Sequence, residues 1–338
     1  LVGTDVSGTR DLGNTLMGIR FFRGIGPTIR GNVVSGNDNT NIIVDTLGSG
    51  AVIEEIRIGT DASGNAPLQD LQGPAGGGGV MLVGRDNVLR ANVISANPFD
   101  GVNIDGLDVP DGRGSGNLLQ ENLIGVGIDG STPLGNGRYG IRVWRGASNN
   151  TIGVTGTTPG GDTRGNVIAH NAAQGVWITG DSSTGNSVRG NSLYANGGLG
   201  IDVAQAGITS NDIRDLDAGA NERQNIPVVG LAEYGATTRV AGVLHSVPLS
   251  KFTLDFYANT EIDPLGHGEG ARWLGSAVVA TDASGSASYD VELPAATASG
   301  ERITATATSA AGSTSEFSIS RVTTARDGTL VVTLSLIH

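Results

Sequence analysis

The sequence predicts an all-β chain: stacked parallel strand repeats through the first two-thirds, then a β-sandwich. Three observations carry this. Gly-aliphatic-x-aliphatic recurs at Gly18-Ile19-Arg20-Phe21, Gly79-Val80-Met81-Leu82, Gly101-Val102-Asn103-Ile104, Gly140-Ile141-Arg142-Val143, Gly175-Val176-Trp177-Ile178 and Gly200-Ile201-Asp202-Val203, with a degenerate copy at Asn41-Ile42-Ile43-Val44. Asn-bounded segments accompany most copies. After residue 225 the repeat gives way to short strand-like runs separated by Gly, Pro, Asp and Ser.

Recurrence at fixed sequence motifs means stacked units, because one short strand cannot bury its apolar face alone. Within each repeat the alternation has period two, with Ile141 and Val143 inward and Arg142 and Trp144 outward, which is strand and not helix. Repeat starts lie 22 to 39 residues apart. The shorter spacings hold three short strands and their turns, and the longer ones hold inserted loops near 67–78 and 153–163. At the strand separation of about 4.8 Å, seven such coils make a rod of roughly 35 Å.

The second signature reads Gly31-Asn32-Val33-Val34-Ser35-Gly36-Asn37, Ala91-Asn92-Val93-Ile94-Ser95-Ala96-Asn97, Gly165-Asn166-Val167-Ile168-Ala169-His170-Asn171 and Gly190-Asn191-Ser192-Leu193-Tyr194-Ala195-Asn196. Stacking would align Asn32, Asn92, Asn122, Asn166 and Asn191 in a ladder, each amide bonding the next along the axis. A third element begins at Val2-Gly3-Thr4-Asp5, Ile58-Gly59-Thr60-Asp61 and Ile124-Gly125-Val126-Gly127.

These repeats resemble right-handed parallel β-helix proteins of the pectate-lyase-like superfamily. More narrowly they resemble large bacterial surface proteins with GNVISGN and IGTD repeats. The resemblance covers about residues 1–205 and implies a right-handed parallel β-helix. Strand-like runs at 226–232, 239–244, 252–257, 274–280, 287–293, 302–308 and 316–322 suggest an immunoglobulin- or fibronectin-like β-sandwich behind it. The expected division is 1–222, β-helix with an acidic linker or cap at its end, and 223–325, sandwich. The tail 326–338 ends in Leu334-Ser335-Leu336-Ile337-His338. That ending resembles a translated sequencing adaptor, as in a metagenomic assembly that ran off its read, so the native chain is expected to continue beyond Thr333 with other residues.

Composition narrows function. The absence of Cys removes disulfides and thiol chemistry. A net charge of −12 argues against nucleic acid or an anionic membrane as partner. No apolar run is long enough to insert in a membrane. The expected location is extracellular, secreted or at a cell surface. An open helix end offers unpaired strand edges, so end-to-end self-association is expected.

Two constellations could carry chemistry. Asp212, Asp215, Asp217 and Asn221 place oxygens on a Gly-bearing loop that could wrap a hard cation, with Asp202 as a further ligand; Ca²⁺ is the expected ion. The outward stripe of Asn103 and Asp105, Arg142 and Trp144, Trp177, then Asp202 forms a platform for a polysaccharide or cell-surface glycan, since side chains two apart share a face. Enzymatic signals are thin. Asp105 beside Arg142 imitates the acid and base of a lyase, but an Arg base is unusual. Gly266-His267-Gly268 matches one hydrolase fragment of this fold, yet lies outside the coils. The expected role is therefore non-enzymatic, structural or adhesive, with a calcium-dependent polysaccharide lyase or glycoside hydrolase as the alternative.

Overall fold

The computed structural model describes residues 1–68, 77–157, 164–261 and 266–326. The expected inserted loops near 67–78 and 153–163 fall largely outside these residues, as does the tail from 327 onward. Among the described residues the regular structure is almost entirely strand, with one short 3₁₀ turn at Ala220–Arg223.

The first two-thirds form a parallel β-helix of three sheets. The front sheet stacks Ile19–Ile25, Ile42–Ser49, Val80–Leu82, Val102–Asp105, Ile141–Trp144, Val176–Ile178 and Ile201–Val203 in chain order. A second sheet stacks Thr28–Arg30, Val52–Glu54, Val88–Arg90, Leu118–Gln120, Thr151–Gly153 and Ser187–Arg189. The third stacks Val33–Val34, Arg57–Ile58, Val93–Ile94, Leu123–Ile124, Val167–Ala169 and Ser192–Tyr194. Every pairing between these strands is parallel, and each strand pairs with its counterparts one coil before and after. The inward rows are aliphatic: Ile42, Val80, Val102, Ile141, Val176 and Ile201 belong to one continuous buried core.

Asparagine lines three corners of this helix. At each, the backbone N–H and Nδ2 of one Asn both donate to the Oδ1 of the Asn one coil on. One ladder runs Asn97, Asn136, Asn171, Asn196, with Nδ2–Oδ1 distances of 2.9, 2.8 and 2.9 Å. A second runs Asn92, Asn122, Asn166, Asn191 at 2.9, 2.8 and 2.9 Å. A third runs Asn87, Asn117, Asn150, Asn186 at 2.8, 2.9 and 2.8 Å. The expected ladder through Asn32 is corrected: Asn32 is half-buried and donates to Arg30 O, because Ile56 holds the matching corner of the next coil. The glycine of each front strand is required by the same packing. A Cβ on Gly140 would lie 2.6 Å from Gly175 O and 2.8 Å from Asn171 Nδ2. The turn slot shared by Gly36, Ala96, His170 and Ala195 is left-handed in all four, with φ of 74, 59, 59 and 54°. His170 fills this slot with its ring edge-on to Tyr194, centroids 5.5 Å apart.

Beyond residue 225 two four-stranded sheets enclose a second core. One orders Ser286–Leu293, Thr238–His245, Val228–Tyr234 and Thr324–Ala325; the other orders Arg272–Ala280, Lys251–Asn259, Arg302–Ser309 and Arg321–Val322. Val240, Leu244, Leu254, Phe256, Leu274 and Ile303 from both sheets meet in that core, which makes the pair a sandwich. The expected strand at 316–322 shrinks to Arg321–Val322. Its first half is diverted: Phe317 joins Tyr257 in the β-helix core, and Glu316 binds the last coil.

The sandwich closes the C-terminal end of the helix with groups that imitate another coil. Glu269 Oε1 accepts from Asn196 N and Nδ2 at 3.2 and 2.9 Å, the place an Asn Oδ1 holds in every earlier rung. Asn221 Oδ1 accepts from Asn186 N at 2.9 Å, while its Nδ2 donates to Thr314 O at 3.0 Å. Leu193 pairs with Gly270 in an antiparallel bridge. Glu316 accepts from Val203 N and Thr209 N, both at 2.9 Å. Arg189 reaches into the sandwich and pairs with the fully buried Asp255 at 2.6 Å.

Two outcomes follow from this junction. Asp255→Ala strands a buried guanidinium and should cost about 3–5 kcal/mol in urea unfolding, whereas an apolar double replacement of Arg189 and Asp255 should recover most of the loss. A loss below about 1 kcal/mol would mean that the two parts do not pack as described. Burial pushes the Glu316 carboxyl up to about 7 from its ordinary 4.5. The folded chain then keeps a proton that the unfolded chain sheds, so this group's contribution falls as pH rises from 4.5 to about 7. Glu316→Gln should flatten the pH dependence of stability across that window, by up to about 3 kcal/mol; superimposable wild-type and variant profiles would refute it.

Candidate functional site

Strand register assembles the outward face of the front sheet. Asn103 pairs with Arg142, Arg142 with Trp177, and Trp177 with Asp202, so these four form one row along the axis. Asp105 pairs with Trp144 one step to the side. All six residues expected on the glycan stripe are therefore neighbours, spaced at the coil pitch of about 4.8 Å.

The row is an aromatic–guanidinium stack. The Arg142 guanidinium lies 3.6 Å from the Trp144 ring centre and 5.1 Å from that of Trp177. Arg145 lies over Trp144 at 4.2 Å. Tyr139 and Trp177 pack with centroids 4.8 Å apart at 42°. Arg138 extends the stack over Tyr139 at 4.9 Å and Phe99 at 5.7 Å. Such contacts contribute about 0.5–1 kcal/mol each at exposed sites and more when desolvated. Trp144 Nε1 donates to Asn103 Oδ1 at 2.8 Å, which fixes the indole.

Three carboxylates lie beneath this layer. Asp105 is fully buried; it takes Arg145 Nε at 2.9 Å, a second contact from Arg145 Nη2, and Leu107 N at 2.8 Å. Asp202 accepts from Gln174 Nε2 at 2.7 Å and Gly207 N at 3.1 Å. Asp100 accepts a long bond from Asn103 Nδ2 at 3.4 Å. Burial pushes the Asp100 and Asp202 carboxyls above the usual range, and for Asp100 the charges of Arg138 and Arg142 oppose it. Burial also pushes Arg142 down. Asp100 Oδ1, Asp202 Oδ1, Trp177 Nε1 and Arg142 Nε have no hydrogen-bond partner among the described residues.

This geometry bears on the catalytic candidates. Asp105 is consumed by Arg145, and Arg142 is packed against two indoles, so neither is presented as a free acid or base. Asp45, on an earlier strand of this sheet, is ion-paired with Arg20. His267 lies at the junction of sandwich and rod, with Nδ1 3.1 Å from Phe317 O, and not on the front sheet.

The acidic loop behaves differently. One carboxylate oxygen from each of Asp212, Asp215 and Asp217 lies within 4.8 Å of the others. Asp212 Oδ1 and Asp217 Oδ1 are buried without a partner. Burial is the main cause pushing Asp215 up to about 6 and Asp217 upward, and the neighbouring Asp212 charge adds to both. Hard oxygens that repel one another fit a hard cation, so these three residues could hold a metal ion. The expected partners Asp202 and Asn221 are corrected. Asp202 lies on the front sheet with Gln174, and the Asn221 amide is spent closing an asparagine ladder.

Sequence reasoning missed Asp100, Tyr139 and Gln174. Each immediately precedes a repeat glycine, at Asp100-Gly101, Tyr139-Gly140 and Gln174-Gly175, and that shared position was the available signal.

No family model matches the chain, and no curated protein matches it. Among solved structures, the enzymatically active domain of tailspike protein 2 from Bacteriophage CBA120 is similar at 8% identity, over 89% of this chain and 69% of that chain, with a TM-score of 0.26. A likeness that slight adds nothing to the fold derived from strand pairing.

Proposed function

We propose that this chain is an extracellular, non-catalytic β-helix protein that binds a polysaccharide or cell-surface glycan on its front sheet. On this reading residues 1–222 form the binding rod and residues 223–325 form the module that ends it. The observation that carries the proposal is the Arg142 row, where Tyr139, Trp177 and Trp144 present ring surface beside guanidiniums. Aromatic faces stack on sugar C–H groups, and the guanidiniums beside them donate to hydroxyls. Of the two indoles, Trp177 is the better stacking surface, because Arg142 and Arg145 already lie close over Trp144.

A second reading, a polysaccharide hydrolase or lyase, is favoured by one observation. Asp100 and Asp202 are buried carboxyls held above their ordinary range beside the same row, each with an unpartnered oxygen. A reducing-end and unsaturated-product assay separates the two readings; turnover lost in Asp100→Asn would favour the enzyme.

Calcium is the proposed ion for Asp212, Asp215 and Asp217, placed at the junction of rod and module. Ca²⁺ at about one hundred times its dissociation constant should stabilise the fold by about 2.7 kcal/mol. Asp217→Asn should remove that gain, and calorimetry showing no heat and no rise in Tm with Ca²⁺ would end the assignment. For the glycan face, Trp177→Ala should lower affinity at least tenfold, equivalent to about 1.4 kcal/mol, in a polysaccharide array followed by titration. Equal binding by wild type and Trp177→Ala would overturn the face as the site.

A further inference from the structure

A polar cavity of about 350 Å³ opens at the C-terminal ends of front-sheet strands in the earlier coils. Ser49, Gly48, Gly84, Arg85, Asp111 and Arg113 shape it. Gly84 packs directly on the neighbouring strand in its wall, where a Cβ would lie 2.1 Å from Gly48 O. Arg85 is exposed and makes no ion pair or side-chain hydrogen bond with any described residue. Its Nη1 is 4.0 Å from the position of a Cβ on Gly112, which brings it against the 111–113 turn. Arg113 Nε donates to Asp111 Oδ2 at 2.8 Å. Two guanidiniums thus face one carboxylate, a local positive excess on a chain of net charge −12.

The cavity is joined to the aromatic row by one loop. Leaving Asp105, the chain bonds Gly106 N to Trp144 O at 3.1 Å and Asp108 N to Arg145 O at 2.7 Å. It returns with Gly114 N on Val83 O at 2.7 Å, beside the cavity wall. The loop that leaves the aromatic row at Asp105 therefore ends beside the arginines, to one side of the axial line that continues from Asn103 through Met81 and Ile43. The volume suits a single sugar unit, and a planar guanidinium fork matches the geometry of an oxyanion.

We infer that the Arg85–Arg113 cavity is a subsite for an oxyanion borne by a sugar, a carboxylate or a sulfate ester, so that the ligand of the front sheet is an acidic oligosaccharide. This rests on the glycan reading of the Trp177 face. The test is calorimetric titration of wild type, Arg85→Gln and Trp177→Ala with alginate oligosaccharides, dextran sulfate, neutral dextran and inorganic sulfate. One charged polymer should bind wild type at least about tenfold more tightly than dextran, and which one does so separates carboxylate from sulfate ester. Arg85→Gln should lose about tenfold on that polymer and retain its affinity for dextran. Equal affinity for charged and neutral polymers overturns the subsite, as does unchanged binding in Arg85→Gln while Trp177→Ala loses it; either leaves the glycan face standing. Binding of inorganic sulfate without any polymer marks a bare anion site and overturns the sugar assignment. No binding in any arm overturns both.

Discussion

The structure depends on the axial asparagine hydrogen bond. In each ladder one Oδ1 receives both the backbone N–H and the Nδ2 of the preceding rung, as at Asn136, where Asn97 donates at 3.1 and 2.9 Å. These amides are buried, and a buried amide without a partner costs several kcal/mol on water-to-alkane scales. Each coil can therefore be buried only if the next one is present in the same register. The direction of donation is fixed as well. All three ladders donate toward the C-terminus, so the last coil needs acceptors from elsewhere. Glu269 Oε1 and Asn221 Oδ1 supply them in two ladders. Around the third corner, at Asn191, the sandwich takes the flanking donors: Gly190 N donates to Tyr257 Oη at 2.9 Å and Ser192 Oγ to Ala271 O at 2.6 Å. The sandwich is thereby tied to the rod by the rod's own bonding rule, with Phe317 filling the open end of the core.

Register then creates the face. Parallel pairing without a bulge carries Asn103, Arg142, Trp177 and Asp202 into one line, although they span about a hundred residues of sequence. The side chains are layered by charge. The acids Asp100, Asp105 and Asp202 are buried, and the guanidiniums of Arg138, Arg142 and Arg145 lie with the rings above them. Asp105 holds Arg145 in place, and Arg145 and Arg142 lie over the Trp144 indole.

The repeat, the parallel strands and the outward stripe were legible because period two and a recurring glycine are local signals. The sandwich was legible for the same reason, down to most of its strands. Three things were hidden. The ladder at Asn87, Asn117, Asn150 and Asn186 follows a weaker pattern, an Asn after a left-handed residue and before a strand, with neighbours of every type. Asn32 looked like a rung because its local motif is complete, yet a rung needs a partner one coil on, and Ile56 is there instead. Asn221 looked like a cation ligand because its loop is acidic. Its actual partners, Asn186 and Thr314, are 35 and 93 residues away, and no local pattern encodes a closure made by a later part of the chain.

Binding and catalysis ask opposite things of the front sheet. An acid or base must exchange protons with a substrate, so its charged and neutral forms must both be reachable. Here Asp105 is locked by two contacts to Arg145 and a backbone amide, and Asp202 by Gln174 and Gly207 N. A binding surface needs side chains whose positions are settled before the ligand arrives, because ordering a long side chain at an interface costs about 0.5–1.5 kcal/mol. The Arg142 row meets that need: each guanidinium rests on a ring, the Trp144 indole is tied to Asn103, and the strands beneath are fixed by the ladders on either side. The same bonds that hold Asp105 and Asp202 keep the face rigid, as the recognition role proposed above requires.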